Sequence, residues 1–234
     1  MNDDYKIFPI GDSAITLELA NRIDLQLNRK AIAMKEWLAG NSFDGLQDII
    51  VAYSTISILY DPLTVKDKYA GGEKAFDFVK RKLTDAYANA QVSEPGVMGK
   101  TIEIPVCYDP AFGFDLEYVA REKKLSIKEI IDLHVSKFYY VYMIGFLPGF
   151  SYLAELDEKL VIPRKLKPVP VAAGSVGIAG SQTGMYSLDC PGGWQIIGRT
   201  PLKLFDSSLS PPALLSAGDW VRFHEISSEE FAAW

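Results

Sequence analysis

The chain has 234 residues, 48% of them hydrophobic and 23% charged; these are ordinary values for one large or two small folded domains and unlike those of disordered, collagen-like or coiled-coil chains. Its 24 basic and 30 acidic side chains leave a net charge of -6, which repels phosphate overall and argues against non-specific nucleic-acid binding. The two Cys, Cys107 and Cys190, stand in no metal or redox spacing and there are only two His, so neither a disulfide scaffold nor a zinc site is expected, and a reducing, cytoplasmic setting is.

The opening, MNDDYK, is acidic and lacks the basic and apolar regions of a signal peptide. Residues 5–10 and 14–19 read as short strands around a Gly11-Asp12 turn. Ile23, Leu27, Met34 and Leu38 then fall at helical spacing, and Gly40 supplies a stop. β-Branched runs at 48–53 and 56–60 flank Ser54-Thr55 and predict a second hairpin. Ala75, Val79, Leu83 and Ala86 mark a second amphipathic helix. The order ββαββα predicts a small α+β domain over residues 1–90, a sheet with two helices on one face.

The aperiodic stretch QVSEPGVMG at 91–99 reads as a linker. After it, residues 101–108 predict a strand, and Asp115 is placed to cap a short helix running to Lys123. Ser126 opens another helix, with Glu129 completing a capping box and Ile127, Ile130, Ile131 and His134 on its inner face. The run 138–154 carries no charge and seven of the chain's 28 aromatics. It is shorter than the roughly 20 apolar residues of a spanning helix. Gly145, Pro148 and Gly149 interrupt it, so it predicts a buried strand entering a loop and no membrane span. From 138 onward short apolar runs alternate with Gly and Pro, which predicts a mainly β body, a barrel, filling a domain over 100–226. The acidic tail, 227–234, is expected to be loose, although Phe231 and Trp234 could dock.

Nine of the 18 Gly lie between Gly145 and Gly198. Such density implies tight barrel corners or loops whose backbone closely approaches a ligand. Residues 159–205 hold six cations (Lys159, Arg164, Lys165, Lys167, Arg199 and Lys203) against Asp189, a local +5 that leaves -11 for the rest. A basic, Gly-rich segment in an acidic chain points to a carboxylate, a phosphate or an acidic protein face; the alternative is a solvated basic loop. No phosphate-loop signature is present, so ATP is not held by that device in this chain. The run GSVGIAG at 174–180 is not a dinucleotide fingerprint, and no helix is predicted after it. Ser175, Asp189 and His224 follow in the order of a hydrolase triad, but the same missing helix removes the nucleophile elbow. His134 is either a satisfied interior residue or a base. The PGGW loop at 191–194 can present backbone N–H groups to an anion beside an aromatic wall, or can be a turn closed by a core Trp.

Several long motifs stand in fixed order: VYMIGFLPGFSYL at 141–153, Pro163-Arg164, AGSVGIAGSQTGMY at 173–186, PGGWQIIGRTPLKLFD at 191–206 and AGDWVRF at 217–223. Together with the His-containing approach at 130–146, they resemble the allophanate hydrolase subunit 1-like, or KipI-like, family associated with the B subunit of 5-oxoprolinase. The resemblance is dense from 131 onward and thinner in the first third. It departs from the family pattern at Pro168-Val169, where a second Pro-Arg is usual, at Ala172, which replaces a Pro, and at Ser187, where Pro is common.

The resemblance implies a small α+β domain followed by a cyclophilin-like β-barrel. It also implies a non-autonomous component that works with homologues of the A and C subunits of 5-oxoprolinase to open 5-oxoproline to glutamate at the expense of ATP, with no metal in this chain. Related domains in urea carboxylase join a carboxyl transfer. A Bacillus member inhibits a sporulation sensor histidine kinase, so a kinase-binding regulator is the alternative function. A prolyl isomerase is suggested by the implied fold alone. On this footing the expected substrate-binding residues are Arg164, Ser175, Gln182, Thr183, Tyr186, Gly192, Gly193, Trp194 and Arg199, with His134 as candidate base or orienter.

Overall fold

The computed structural model describes residues 5–69, 71–92 and 99–234. Its contacts divide the chain into two compact units, Met1–Val97 and Met98–Trp234. The linker expected at 91–99 falls mostly on residues 93–98, which lie outside the described residues.

The first unit runs β1 (Lys6–Pro9), β2 (Ala14–Glu18), α1 (Leu25–Gly40), β3 (Leu46–Ala52), β4 (Thr55–Tyr60), α2 (Pro62–Tyr69) and α3 (Ala75–Asn89). Its four strands form one antiparallel sheet in the order β1-β2-β4-β3. Register places Leu17, Ile56 and Val51 in one row and Ile15, Ile58 and Ile49 in the next. Side chains alternate along a strand, so all six share one face. That face is buried together with Met34 and Leu38 of α1 and Val79 and Leu83 of α3.

Among the described residues of this unit three helices stand where two were expected. The extra one, α2, starts at Asp61-Pro62. Asp61 accepts hydrogen bonds from the Leu63 N–H at 3.0 Å and the Thr64 hydroxyl at 2.6 Å. Pro62 takes the first helical position, where its missing N–H costs nothing. Only Val65 of α2 is buried, so the helix writes no apolar stripe into the sequence.

The second unit runs β5 (Thr101–Cys107), α4 (Leu116–Lys123), α5 (Ile127–Val135), β6 (Phe138–Ile144), β7 (Ser151–Ala154), a 3-10 turn (Glu158–Leu160), β8 (Val169–Val171), β9 (Ser175–Ala179), β10 (Gln182–Met185), β11 (Cys190–Gly192), β12 (Gln195–Arg199), β13 (Trp220–Ile226) and α6 (Ser228–Ala232). Seven strands close a barrel in the order β10-β7-β6-β13-β5-β12-β9, and β8 and β11 form a separate two-stranded ribbon. The parallel β5–β13 pair extends from Thr101↔Trp220 to Cys107↔Ile226. The capping box of Ser126 and Glu129 forms at the start of α5. Among the described residues no helix is long and apolar enough to cross a membrane.

Alternation sorts the wall of the barrel into two sides. Leu153, Val176, Ile178, Met185 and Ile197 point into the main core with Val221 and Phe223. The interleaved Tyr152, Ala179 and Ile196 join a second, smaller cluster with Phe150, Tyr186 and Trp194.

The tail is not loose. Ser227 and Glu230 make a capping box that starts α6, and the Phe231 ring lies 4.3 Å from that of Phe112. The Ser-x-x-Glu spacing was legible at this position, but the acidity of the segment outweighed it in the sequence reading.

Candidate active-site cavity

The smaller cluster floors a cavity of about 280 Å³. Three segments wall it: the turn before β7, with Phe146 and Phe150; the loop that follows the 3-10 turn, with Arg164, Lys165, Leu166 and Pro168; and the β11–β12 link, with Gly193 and Trp194. On the floor Phe150 meets Tyr152 at 4.8 Å, Tyr186 at 5.0 Å and Trp194 at 5.6 Å, each edge to face.

Glycines let these rings rest on backbone. Gly177 and Gly184 are cross-strand partners on β9 and β10. A Cβ on Gly184 would lie 2.6 Å from the Ser151 carbonyl oxygen and 2.9 Å from the Trp194 ring, and one on Gly177 would lie 3.1 Å from the Trp194 Cβ. A Cβ on Gly192 would lie 2.5 Å from the Tyr186 hydroxyl oxygen. Much of the Gly density is therefore explained by rings seated against strands, a reason that neither sequence alternative contained.

Arg164 is held from both sides. The Gln195 side-chain amide donates to the Pro163 carbonyl at 3.1 Å, and the Lys165 N–H donates to the Gly193 carbonyl at 2.7 Å. The Lys165 ammonium donates to the Asp115 carboxylate and, at 3.1 Å, to the Trp194 carbonyl. The Asp115 carboxylate also accepts the Ile196 N–H at 2.6 Å. Asp115 therefore precedes α4 without capping it, since its side chain makes no cap hydrogen bond. The cation counted at Lys165 is neutralised. Arg164 has no ion-pair partner among the described residues, and none of the described lining residues is acidic.

The PGGW link commits the Gly193 and Trp194 carbonyls to internal hydrogen bonds. Both carbonyls named above accept from Lys165, and the Trp194 N–H bonds the Tyr186 hydroxyl. Of the two sequence readings, the turn closed by a buried Trp fits this arrangement; Trp194 is 3% exposed. Burial pushes the Tyr186 phenol up to about 12, against opposing pulls from the Trp194 N–H and the Arg164 charge. Burial raises Tyr152 as well, and Arg164 again opposes it. Both phenols keep their protons at neutral pH, and both lie within electrostatic reach of the Arg164 guanidinium.

His134 does not line the cavity. It is fully buried in the barrel core, where its ring stacks on Phe223 at 4.5 Å. Its Nδ1 lies 2.7 Å from the Tyr108 hydroxyl, and its Nε2 lies 2.9 Å from the Thr183 hydroxyl. Thr183 spends its own proton on the Gly177 carbonyl at 3.1 Å. Thr183 must therefore accept from His134, so the proton sits on Nε2 and Tyr108 donates to Nδ1. Burial pulls the imidazole down to about 3, consistent with this neutral form. Every group in the relay is satisfied, which is the interior reading of His134.

The structure therefore brings Arg164, Tyr186, Gly192, Gly193 and Trp194 to one cavity. Ser175 is buried at the start of β9, Thr183 faces into the barrel, Gln182 is half-buried on β10, and Arg199 lines a different cavity. Phe146, Phe150, Tyr152 and Leu166 went unassigned in the sequence. The first three lay in the aromatic-dense run; Leu166, with its side chain fully exposed, left no signal.

Comparison with known proteins supplies a lineage. Residues 5–215 match the family model described as carboxyltransferase domain, subdomain C and D. A Bacillus subtilis (strain 168) protein named as the B subunit of 5-oxoprolinase is 41% identical over 232 residues, covering 98% of this chain and 96% of the relative. The Escherichia coli O157:H7 protein of the same name is 38% identical, covering 93% and 94%. Among solved structures, TTHA0988 superposes with a TM-score of 0.78 at 34% identity; the match covers 92% of this chain but only 40% of that longer one.

Proposed function

The chain belongs to the carboxyltransferase domain, subdomain C and D, family, and from that premise we propose that it is the B-type component of an ATP-dependent 5-oxoprolinase, opening 5-oxoproline to L-glutamate with homologues of the A and C subunits. Relatives 41% and 38% identical over almost their whole length are named as the B subunit of that enzyme, and such a name implies partners. The observation that supports the reading best is the unpaired Arg164 above an aromatic floor. The lactam is flat and bears a carboxylate. A guanidinium grips a carboxylate with two parallel hydrogen bonds, and aromatic faces take a flat ring.

The described lining holds Arg164, the paired Lys165 and two phenols but no carboxylate or imidazole. That set can bind and orient a lactam; it contains no general base. In this proposal the base and the ATP-handling groups belong to the partner proteins, which accords with the missing phosphate-loop signature. The chain's own part is to fix the carboxylate on Arg164, seat the ring against Trp194 and exclude water with Phe146 and Phe150.

Mixing the three purified proteins should give ATP-dependent glutamate release. Arg164→Ala should lower kcat/KM by about 10- to 100-fold, the worth of a charge-assisted hydrogen bond, with partial recovery in Arg164→Lys. An unchanged rate in Arg164→Ala would remove the cavity from the reaction.

A second reading, a protein-binding inhibitor of a sensor histidine kinase, is favoured by Phe146 and Leu166, which stand 62% and 103% exposed at the mouth. Inhibition of kinase autophosphorylation that disappears in a Phe146→Ser, Leu166→Ser double variant would support it.

A further inference from the structure

Arg199 belongs to a second concavity of about 390 Å³, built where β12 ends and α6 returns. Its Nε donates to the Ala173 carbonyl at 2.8 Å, which orients the guanidinium. Gly174, at φ +83, brings that loop against β12, and its carbonyl accepts the Thr200 N–H at 2.9 Å. The remaining guanidinium nitrogens have no carboxylate partner among the described residues, and no acidic side chain is among the described lining.

Lys203 also lines the cavity, but its ammonium is paired with Asp206 at 2.6 Å. Among the described residues the Arg199 guanidinium is therefore the lining cation without an ion pair. Phe231 and Trp234 complete the lining. Phe231 is anchored on Phe112, whereas Trp234 is 71% exposed and offers a large apolar side chain to the lining.

The guanidinium fork fits carboxylate and phosphate alike, but a single cation neutralises a carboxylate fully and a phosphate dianion only in part. An indole wall beside it rewards a flat apolar body. We propose that this cavity binds a small carboxylate with a flat apolar body, its oxyanion on Arg199 and its body against Trp234. This site is separate from the Arg164 cavity and does not depend on the 5-oxoprolinase reading.

The test uses the full-length chain carrying Arg164→Ala, so that the first cavity cannot supply the signal. Benzoate, acetate and inorganic phosphate are titrated separately and followed by heteronuclear NMR. Benzoate should shift the Trp234 indole and the Thr200 amide saturably, and more tightly than acetate or phosphate. Adding Arg199→Gln should weaken benzoate by about tenfold or more, the loss of a charge-assisted contact. Adding Trp234→Leu, at an exposed position that does not hold the fold, should remove the advantage of benzoate over acetate. The proposal is overturned by an absence of saturable shifts, by phosphate binding tighter than benzoate, or by equal benzoate affinity in a folded Arg199→Gln protein. Should that variant not fold, Trp234→Leu decides alone: retained preference for benzoate overturns the proposal and lost preference supports it.

Discussion

Burial pulls the His134 imidazole down to about 3, whereas an unfolded chain would protonate it near 6.5. Between those values the unfolded state binds a proton that the native state refuses. Unfolding is therefore favoured as pH falls, by up to about 1.4 kcal/mol per unit below 6.5, and the stability present above 6.5 drains away toward 3. Denaturant titrations at pH 7 and pH 5 should show this loss. His134→Gln should be less stable at pH 7, because Tyr108 and Thr183 lose their fitted partner, yet show a shallower fall to pH 5. An equally steep fall would place the acid sensitivity elsewhere. Gly184 makes a steric prediction of the same scale. A methyl group there meets the Ser151 carbonyl and the Trp194 ring at 2.6 and 2.9 Å, and backbone cannot step aside. Gly184→Ala should cost about 1–3 kcal/mol and red-shift the emission of Trp194 as it lifts from the wall; an unshifted spectrum with an unchanged Tm would contradict this packing.

At the scale of elements, the Asp115–Lys165 pair fastens the approach to α4, the arginine-bearing loop and β12 at one point. Its side chains are only 14% and 15% exposed, so removing one partner strands a charge. Asp115→Ala should cost about 2–3 kcal/mol and loosen Arg164. Adding Lys165→Met should recover much of the stability without restoring the pinned loop, which chemical denaturation and ligand affinity can separate. If the two substitutions simply add, the pair is not coupled. The sequence reading took Asp115 for a cap and counted Lys165 only as one cation of a basic segment, because local spacing reports neighbours within a few residues and these partners are 50 apart. Local signals did mark the box at Ser126 and Glu129, whose partners are three residues apart. The helix α2, with one buried side chain, was lost for the complementary reason: a short piece carries too few apolar positions to define a period.

For the whole chain, each compact unit encloses its own apolar cluster, with Leu17, Ile56 and Val79 in one and Ile104, Val141 and Phe223 in the other. Residues 98–234 made alone should melt cooperatively and keep the shielded emission of Trp194; a non-cooperative melt would show that this part lacks an independent core. The motif order was enough to identify the lineage, and the alternation of short apolar runs was enough to predict a barrel. The summed charge was a weaker guide. Of the six cations behind the local +5, Lys165 is neutralised, Lys203 is paired, and Arg164 and Arg199 line two separate cavities; a count along the chain cannot see that division. The tethers on Pro163 and Lys165 have one further consequence. The main chain around Arg164 is ordered before any guest arrives, so capture freezes only side-chain torsions. Such a mouth should engage anions rapidly and with little entropic penalty, yet tell similar ones apart poorly; discrimination is then left to whatever leans on the rings below.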